Sequence, residues 1–150
     1  MYQRWPKRDT DKCYFKMPNE VFCLDLDSKE IAIYSYLLRC ENRETYQCHP
    51  SYRTIGKAVK LCENTVRKYV LSLEEKGLIR TEPTTITTKD GRIRNGSLRY
   101  TIRPIQEVLE IFYQRQLMRA DEEAEKARME KRLAQFNKQK LINETEGVSA

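Results

Sequence analysis

The chain has 150 residues, 33% of them charged, with 28 Lys and Arg against 22 Asp and Glu. That length allows one modest core and an appendage but not two full cores, and a net charge of +6 points toward a polyanionic partner. The excess is local: residues 51–103 hold 12 Lys and Arg against 5 Asp and Glu, while residues 1–50 hold 8 of each and residues 104–150 hold 8 against 9. No apolar run approaches the roughly 20 residues that span a bilayer, and the N-terminal MYQRWPKRDTDKC lacks the apolar stretch of a secretory signal. A cytoplasmic location is expected. The five cysteines (Cys13, Cys23, Cys40, Cys48, Cys62) are odd in number and form no C-x-x-C pair, so they read as free thiols in a reducing compartment. Cys48 beside His49 has no second pair at ligand spacing, and no metal or other cofactor is expected.

Residues 1–18 are polar, charged and broken by Pro6 and Pro18, which reads as a flexible basic arm. Arg4, Trp5, Lys7 and Arg8 would suit a reach into a minor groove, although a plain solvated terminus is the commoner meaning of such a stretch. Phe15, Val21, Phe22 and Leu24 form a short apolar patch expected to lie against the domain. A first helix is predicted to start at Asp27, because Asp27-x-x-Glu30 has capping-box spacing and Ile31, Tyr34, Leu37 and Leu38 follow on one face; it ends near Cys40. Residues 41–49 read as an irregular polar loop. Pro50 and Ser51 mark the start of a short second helix with Ile55, Ala58 and Val59 inward. After a brief turn, a third helix from Glu63 to Lys76 carries Val66, Tyr69, Val70 and Leu73 at helical spacing, and Gly77 stops it.

Leu78 and Ile79 begin a strand directly. Residues 84–88 are β-branched and residues 98–102 alternate, with Asp90-Gly91 and Asn95-Gly96 as hairpin dipeptides between them. The result is a β-hairpin with a basic tip. From Pro104 the pattern changes to one long helix, apolar first at Ile105, Val108, Leu109 and Phe112, then rich in Ala, Glu, Lys and Arg with opposite charges four apart, as at Glu122 and Lys126. Residues 142–150 read as a frayed tail. The boundaries are thus an arm at 1–18, a domain at 19–103, a long helix at 104–141 and a tail at 142–150.

Two helices joined by a tight turn hold the second proud of the body, where its first turns can enter a major groove about 12 Å wide. The run HPSYRTIGKAVKLCENTVRKYVLSLEEKGLIRTE resembles the winged helix-turn-helix of bacterial GntR-type regulators through Pro50-Ser51, Ala58, Thr65-Val66, Leu73 and Gly77-Leu78-Ile79. The segment MPNEVFCLDLDSKEIAIYSYLL is similar to helix-turn-helix domains of plasmid and phage replication initiators and mobile-element proteins. The fold class implied is mainly α (α+β), a winged helix-turn-helix with a β-hairpin wing and a long C-terminal helix. There are departures: Lys60 and Leu61 occupy the turn where the family carries Gly, Cys62 replaces the Ser cap, and only a helix follows the wing where GntR-type proteins have an effector-binding domain. A small-molecule-sensing repressor is therefore disfavoured.

The resemblance places Asn64, Thr65, Arg67 and Lys68 at base edges, where Asn and Arg can bond adenine and guanine in bidentate fashion and Thr can touch a thymine methyl. Ser51, Tyr52, Arg53, Lys57 and Lys60 would face phosphates, and Lys89, Arg92 and Arg94 would put the wing on the backbone or in the minor groove. One lysine alone is more often a solvated charge; the convergence of the set on one face carries the reading. Tyr34, Tyr36, Tyr52 and Tyr69 suggest a stacking platform for single strands, but Tyr34 and Tyr69 fall on apolar faces and read as packing. Glu74 and Glu75, adjacent on a helix, point apart and form no acid/base pair. With no phosphate-cradling Gly loop or nucleophile elbow, no enzyme is expected.

The expected function is sequence-specific duplex-DNA binding by a bacterial or mobile-element transcriptional regulator that acts by occupancy at the nucleoid. The alternatives are the DNA-binding part of a replication initiator and a winged-helix module for protein interaction. Tyr113, Leu117, Ala120, Ala124 and Ala127 follow a 4-3-4-3 spacing suited to a helix seam, although Lys131 interrupts it. A homodimer through the long helix is expected, since two half-sites add their energies.

Overall fold

The computed structural model describes residues 14–148; Arg4, Trp5, Lys7, Arg8 and Cys13 lie outside the described residues. The chain divides into two units, Met1–Glu110 and Ile111–Ala150. In the first, a 3-10 turn at Asn19–Cys23 leads to α1 (Ser28–Cys40), β1 (Gln47–Cys48), α2 (Tyr52–Val59), α3 (Glu63–Glu75), β2 (Ile79–Glu82), β3 (Thr85–Thr87), β4 (Ile93–Asn95) and β5 (Arg99–Ile102). The first residues of α4 (Ile105–Gly147) complete it. β1, β5 and β2 form one antiparallel sheet with β5 central, and β3 and β4 form a separate two-stranded ribbon. This is a mainly α winged helix-turn-helix with a long C-terminal helix.

Local chemistry sets the ends of the helices. Asp27 caps α1 with a full capping box: its carboxylate accepts the Lys29 and Glu30 N–H groups at 2.9 Å, and the Glu30 carboxylate accepts the Asp27 N–H at 2.9 Å. The Ser51 hydroxyl accepts the Thr54 N–H at 3.1 Å to start α2. At the end of α3, Gly77 takes φ 84°, and the bonds Gly77 N–H to Glu74 O (3.0 Å) and Leu78 N–H to Leu73 O (3.1 Å) make a Schellman closure. That turn sends the chain straight into β2.

Ile33, Tyr34, Leu37, Ile55, Val66, Val70, Leu73, Leu78, Tyr100 and Val108 form the core, and Val21 and Leu24 are buried with them. Several expectations are corrected here. Ile31 is only half-buried, while Ile33 and Glu30 are buried on α1. Glu30 is held in the interior by the Ser72 hydroxyl and by Lys76 Nζ at 2.9 Å, a pairing across α1 and α3 that an apolar pattern does not announce. Ala58 is exposed, and Gly56 takes the inward place because the Leu61 carbonyl passes too close for any Cβ. Phe15 and Phe22 are exposed, so only Val21 and Leu24 of the expected patch pack inward.

The loop at 41–49 is more ordered than its composition implies. Asn42 accepts the Glu44 N–H through its side chain at 2.8 Å, Tyr46 turns at φ 56°, and β1 then pairs with β5 through Gln47 opposite Thr101 and Cys48 opposite Tyr100. In the wing, Asp90-Gly91 makes the turn, with Gly91 at φ 74°. Asn95-Gly96 does not. Asn95 still pairs with Thr85, and Gly96 is required because a side chain there would drive into Thr84 and Ile86.

In the second unit the helix continues to Gly147, past the point where fraying was expected from residue 142. Tyr113 through Val148 are exposed throughout. Among the described residues no helix is long and apolar enough to cross a membrane.

Candidate nucleic-acid interface

α3 has two opposite faces. Val66, Val70 and Leu73 are buried against the core, and Asn64, Arg67, Lys68 and Leu71, at the complementary helical spacing, are exposed. Asn64 and Arg67 are thus free to reach outward from the first turns. Lys68 is drawn aside, its ammonium 5.6 Å from the Tyr69 ring centroid, a ring that Lys29 also approaches at 5.6 Å. Thr65 is half-buried, and its hydroxyl lies 2.9 Å from the Cys62 sulfur, so the first turn of α3 is held by a Cys–Thr contact where Ser would ordinarily cap. This hydroxyl lowers the Cys62 thiol below its usual range. Leu71, 49% exposed, extends the outer face by one turn; its apolar character alone does not set it apart from Val70 and Leu73 on the buried face.

The start of α2 lies beside this face. The Ser51 hydroxyl is committed to its cap and to the Thr54 hydroxyl at 2.8 Å. Tyr52 is half-buried; burial raises its phenol above the usual range, opposed by the charge of Arg67. Arg53 and Lys57 are exposed. Lys60 closes α2 in the left-handed conformation at φ 61°, with the Leu61 N–H on Gly56 O at 3.0 Å, so the turn is made without the family's Gly. Ser51, Tyr52, Glu63, Ile86, Gly96 and Ser97 contribute to a cleft of about 530 Å³ between the beginnings of α2 and α3 and the base of the wing.

Charge pairing sorts the cations into two groups. Lys76 pairs with Glu30, Arg80 and Arg99 with Glu82, and Arg103 with Glu107. Among the described residues, Arg53, Lys57, Lys60, Arg67, Lys68, Lys89, Arg92 and Arg94 have no carboxylate within 4.0 Å. The structure therefore brings together an outer face of α3, the start of α2 and a wing whose cations are uncompensated. Glu63, at the first position of α3 and lining the cleft, is the acidic exception.

The remaining candidates take structural roles. The Glu74 carboxylate accepts the Thr81 N–H at 3.0 Å and the Thr81 hydroxyl at 2.9 Å, tying α3 to β2. Tyr34 is buried, and desolvation pushes its phenol up to about 12. The Cys48 thiol is buried, points at the Leu37 carbonyl at 3.7 Å and is pushed up to about 12 by burial, while His49 is exposed. Among the described residues no group of three or more His, Cys, Asp or Glu side chains is arranged to hold a metal ion.

A family model described as a helix-turn-helix domain matches residues 24–79, which take in α1, α2 and α3. Among solved structures the chain is similar to a possible transcriptional regulator from Methanosarcina mazei Go1, at 18% identity over 72% of this chain and 82% of that one, with a TM-score of 0.49. No curated protein matches it in sequence.

Proposed function

We propose that the protein binds duplex DNA sequence-specifically and regulates transcription by occupying its site, with α3 in the major groove. The observation that carries this is the clustering of charge: the cations of α2, the outer face of α3 and the wing, none with a carboxylate within 4.0 Å among the described residues, gather on the elements that border one cleft. Phosphate is the partner that such a surface suits. Asn64 and Arg67 read base edges, Lys68 and the Thr65 methyl support them, and Glu63 is placed to accept from a cytosine amino group. Tyr52, Arg53, Lys57 and Lys60 hold one strand, and Lys89, Arg92 and Arg94 hold the DNA beneath the wing. Ser51 serves through its backbone, its hydroxyl being occupied. The setting is cytoplasmic, at the nucleoid.

Recovery of bound duplexes from a random pool tests this reading. A defined motif, bound with a steep salt dependence, is the expected result. A pool that stays random after repeated rounds contradicts it. We also propose that α4 joins two copies. Its exposed Tyr113, Leu117, Met129, Leu133 and Phe136 favour a protein partner for the helix, and a recovered palindrome would identify that partner as a second copy. A replication initiator would share the same DNA chemistry and use α4 to recruit a different protein.

A further inference from the structure

The β3–β4 ribbon has no core on either face. All six of its residues are exposed, and two of them are aliphatic, Ile86 at 55% and Ile93 at 74%. The register sets Ile86 opposite Arg94 and Ile93 opposite Thr87. Paired residues project to one side and neighbours alternate, so the two isoleucines stand on opposite faces of the ribbon. A two-stranded ribbon open on both sides is marginal in water, and two isoleucines there gain little of the burial that ordinarily stabilises them.

The charge around them indicates what they meet. Lys89, Arg92 and Arg94 surround them against a single carboxylate, Asp90, and the three cations are unpaired among the described residues. An apolar protein surface would leave those cations unexplained. The minor groove of a duplex combines phosphates along its rims with apolar sugar C–H groups on its walls, and base steps there can be opened by an aliphatic wedge.

Resting on the DNA-binding reading above, we propose that the wing is a minor-groove wedge. Ile93, next to the turn, presses into a base step and kinks the duplex; Ile86 packs on a groove wall; Lys89, Arg92 and Arg94 hold the flanking phosphates. Pyrimidine–purine steps unstack most easily, so they are favoured beneath the wing although no polar side chain reads them.

The test uses a selected duplex of roughly 30 base pairs, labelled at both ends so that energy transfer reports bending. The full chain shortens the end-to-end distance. Ile93→Thr, which keeps a strand-forming branched side chain at an exposed site, removes the bend and weakens binding about tenfold with the salt slope unchanged. Ile86→Thr weakens binding less and retains part of the bend. Arg92→Ala lowers the salt slope and retains the bend. Binding without a bend in the full chain, or a full bend with Ile93→Thr, overturns the wedge while leaving DNA binding intact. A change in self-association with Ile93→Thr, with bending unaltered, assigns the wing's apolar surface to protein and also overturns it. If no duplex is selected and binding is insensitive to salt, the DNA-binding reading fails and takes the wedge with it.

Discussion

Glu30 is the buried charge on which the α1–α3 junction turns. Burial pushes its carboxyl upward, but the Ser72 hydroxyl, Lys76 and the Asp27 N–H together outweigh that and leave it below its ordinary value of 4.5. A carboxyl depressed by folding contributes stability that is fully present above the unfolded value and is lost as pH falls through the folded one. Removing Lys76 (Lys76→Met) leaves a buried carboxylate with fewer partners, at an expected cost of about 1 to 3 kcal/mol at pH 7. Denaturant midpoints measured from pH 7 to below 4.5 should show the gap between Lys76→Met and the parent closing in acid, once the carboxyl is protonated in both. An equal gap at every pH would mean that Lys76 contributes packing alone.

Two neighbouring residues make the turn, and they respond in opposite directions. Lys60 sits at φ 61°, where a side chain is strained by roughly 1 kcal/mol, so Lys60→Gly should stabilise the fold by a few tenths to about 1 kcal/mol after the greater unfolded-state entropy of Gly is counted. The same change should weaken DNA binding and reduce the salt slope by about one if the ammonium meets a phosphate. Gly56→Ala, a change that favours an isolated helix, should instead destabilise by about 1 to 3 kcal/mol because the Leu61 carbonyl occupies the space. Thermal melting of the two variants checks both signs.

At the scale of elements, α3 and the wing carry different kinds of contact and should fail differently. Asn64→Ala and Arg67→Ala are expected to relax base preference, each costing about 1 to 3 kcal/mol on the preferred site and little elsewhere. Arg94→Ala should weaken all sequences alike and lower the salt slope by roughly one. Binding curves on matched and mismatched duplexes over a salt series separate the two patterns, and unchanged specificity in both α3 variants would take that helix out of the groove.

Much of this arrangement was legible because it is written in local chemistry. The Asp27 capping box, the Ser51 cap, the Gly77 closure and the Val66, Val70, Leu73 spacing each specify an element without help from the rest of the chain. What escaped depends on partners distant in sequence. β1 is two residues long and exists because β5 offers a free edge. Glu30 is interior because residues 72 and 76 meet it from α3. Gly96 looked like a turn residue because Asn-Gly is a turn dipeptide, yet its requirement comes from Thr84 and Ile86 across the ribbon. The candidate site was legible as a set of cations; that the Thr65 hydroxyl is engaged with the Cys62 sulfur was not.

For the whole molecule, α4 raises the question of assembly. It is 43 residues long, and its apolar residues fall in two groups: Tyr113 and Leu117 with the alanines that follow, and Met129, Leu133 and Phe136, displaced around the helix by about 165° at 100° per residue, nearly the opposite face. Val108 belongs to the domain core, so a truncation that tests dimerisation must keep it and end after Glu110. Sedimentation at micromolar concentration should show a dimer for the full chain and a monomer for that truncation, and Leu133→Lys should fall between them if the second group joins the seam. Monomers throughout, with and without DNA, would assign the helix to another protein.

The central claim is that unpaired cations and the outer face of α3 together engage duplex DNA. The most direct measurement is the salt dependence of binding to the duplex recovered by selection, for the parent and for Arg67→Ala. The parent should lose affinity linearly in the logarithm of salt, with a slope of about −0.9 for each phosphate contact, and Arg67→Ala should lose about 1 to 3 kcal/mol of its preference for the selected duplex over an unrelated one while retaining most of that slope. A parent whose binding is indifferent to salt, or an Arg67→Ala variant that still discriminates fully between the two duplexes, would contradict it.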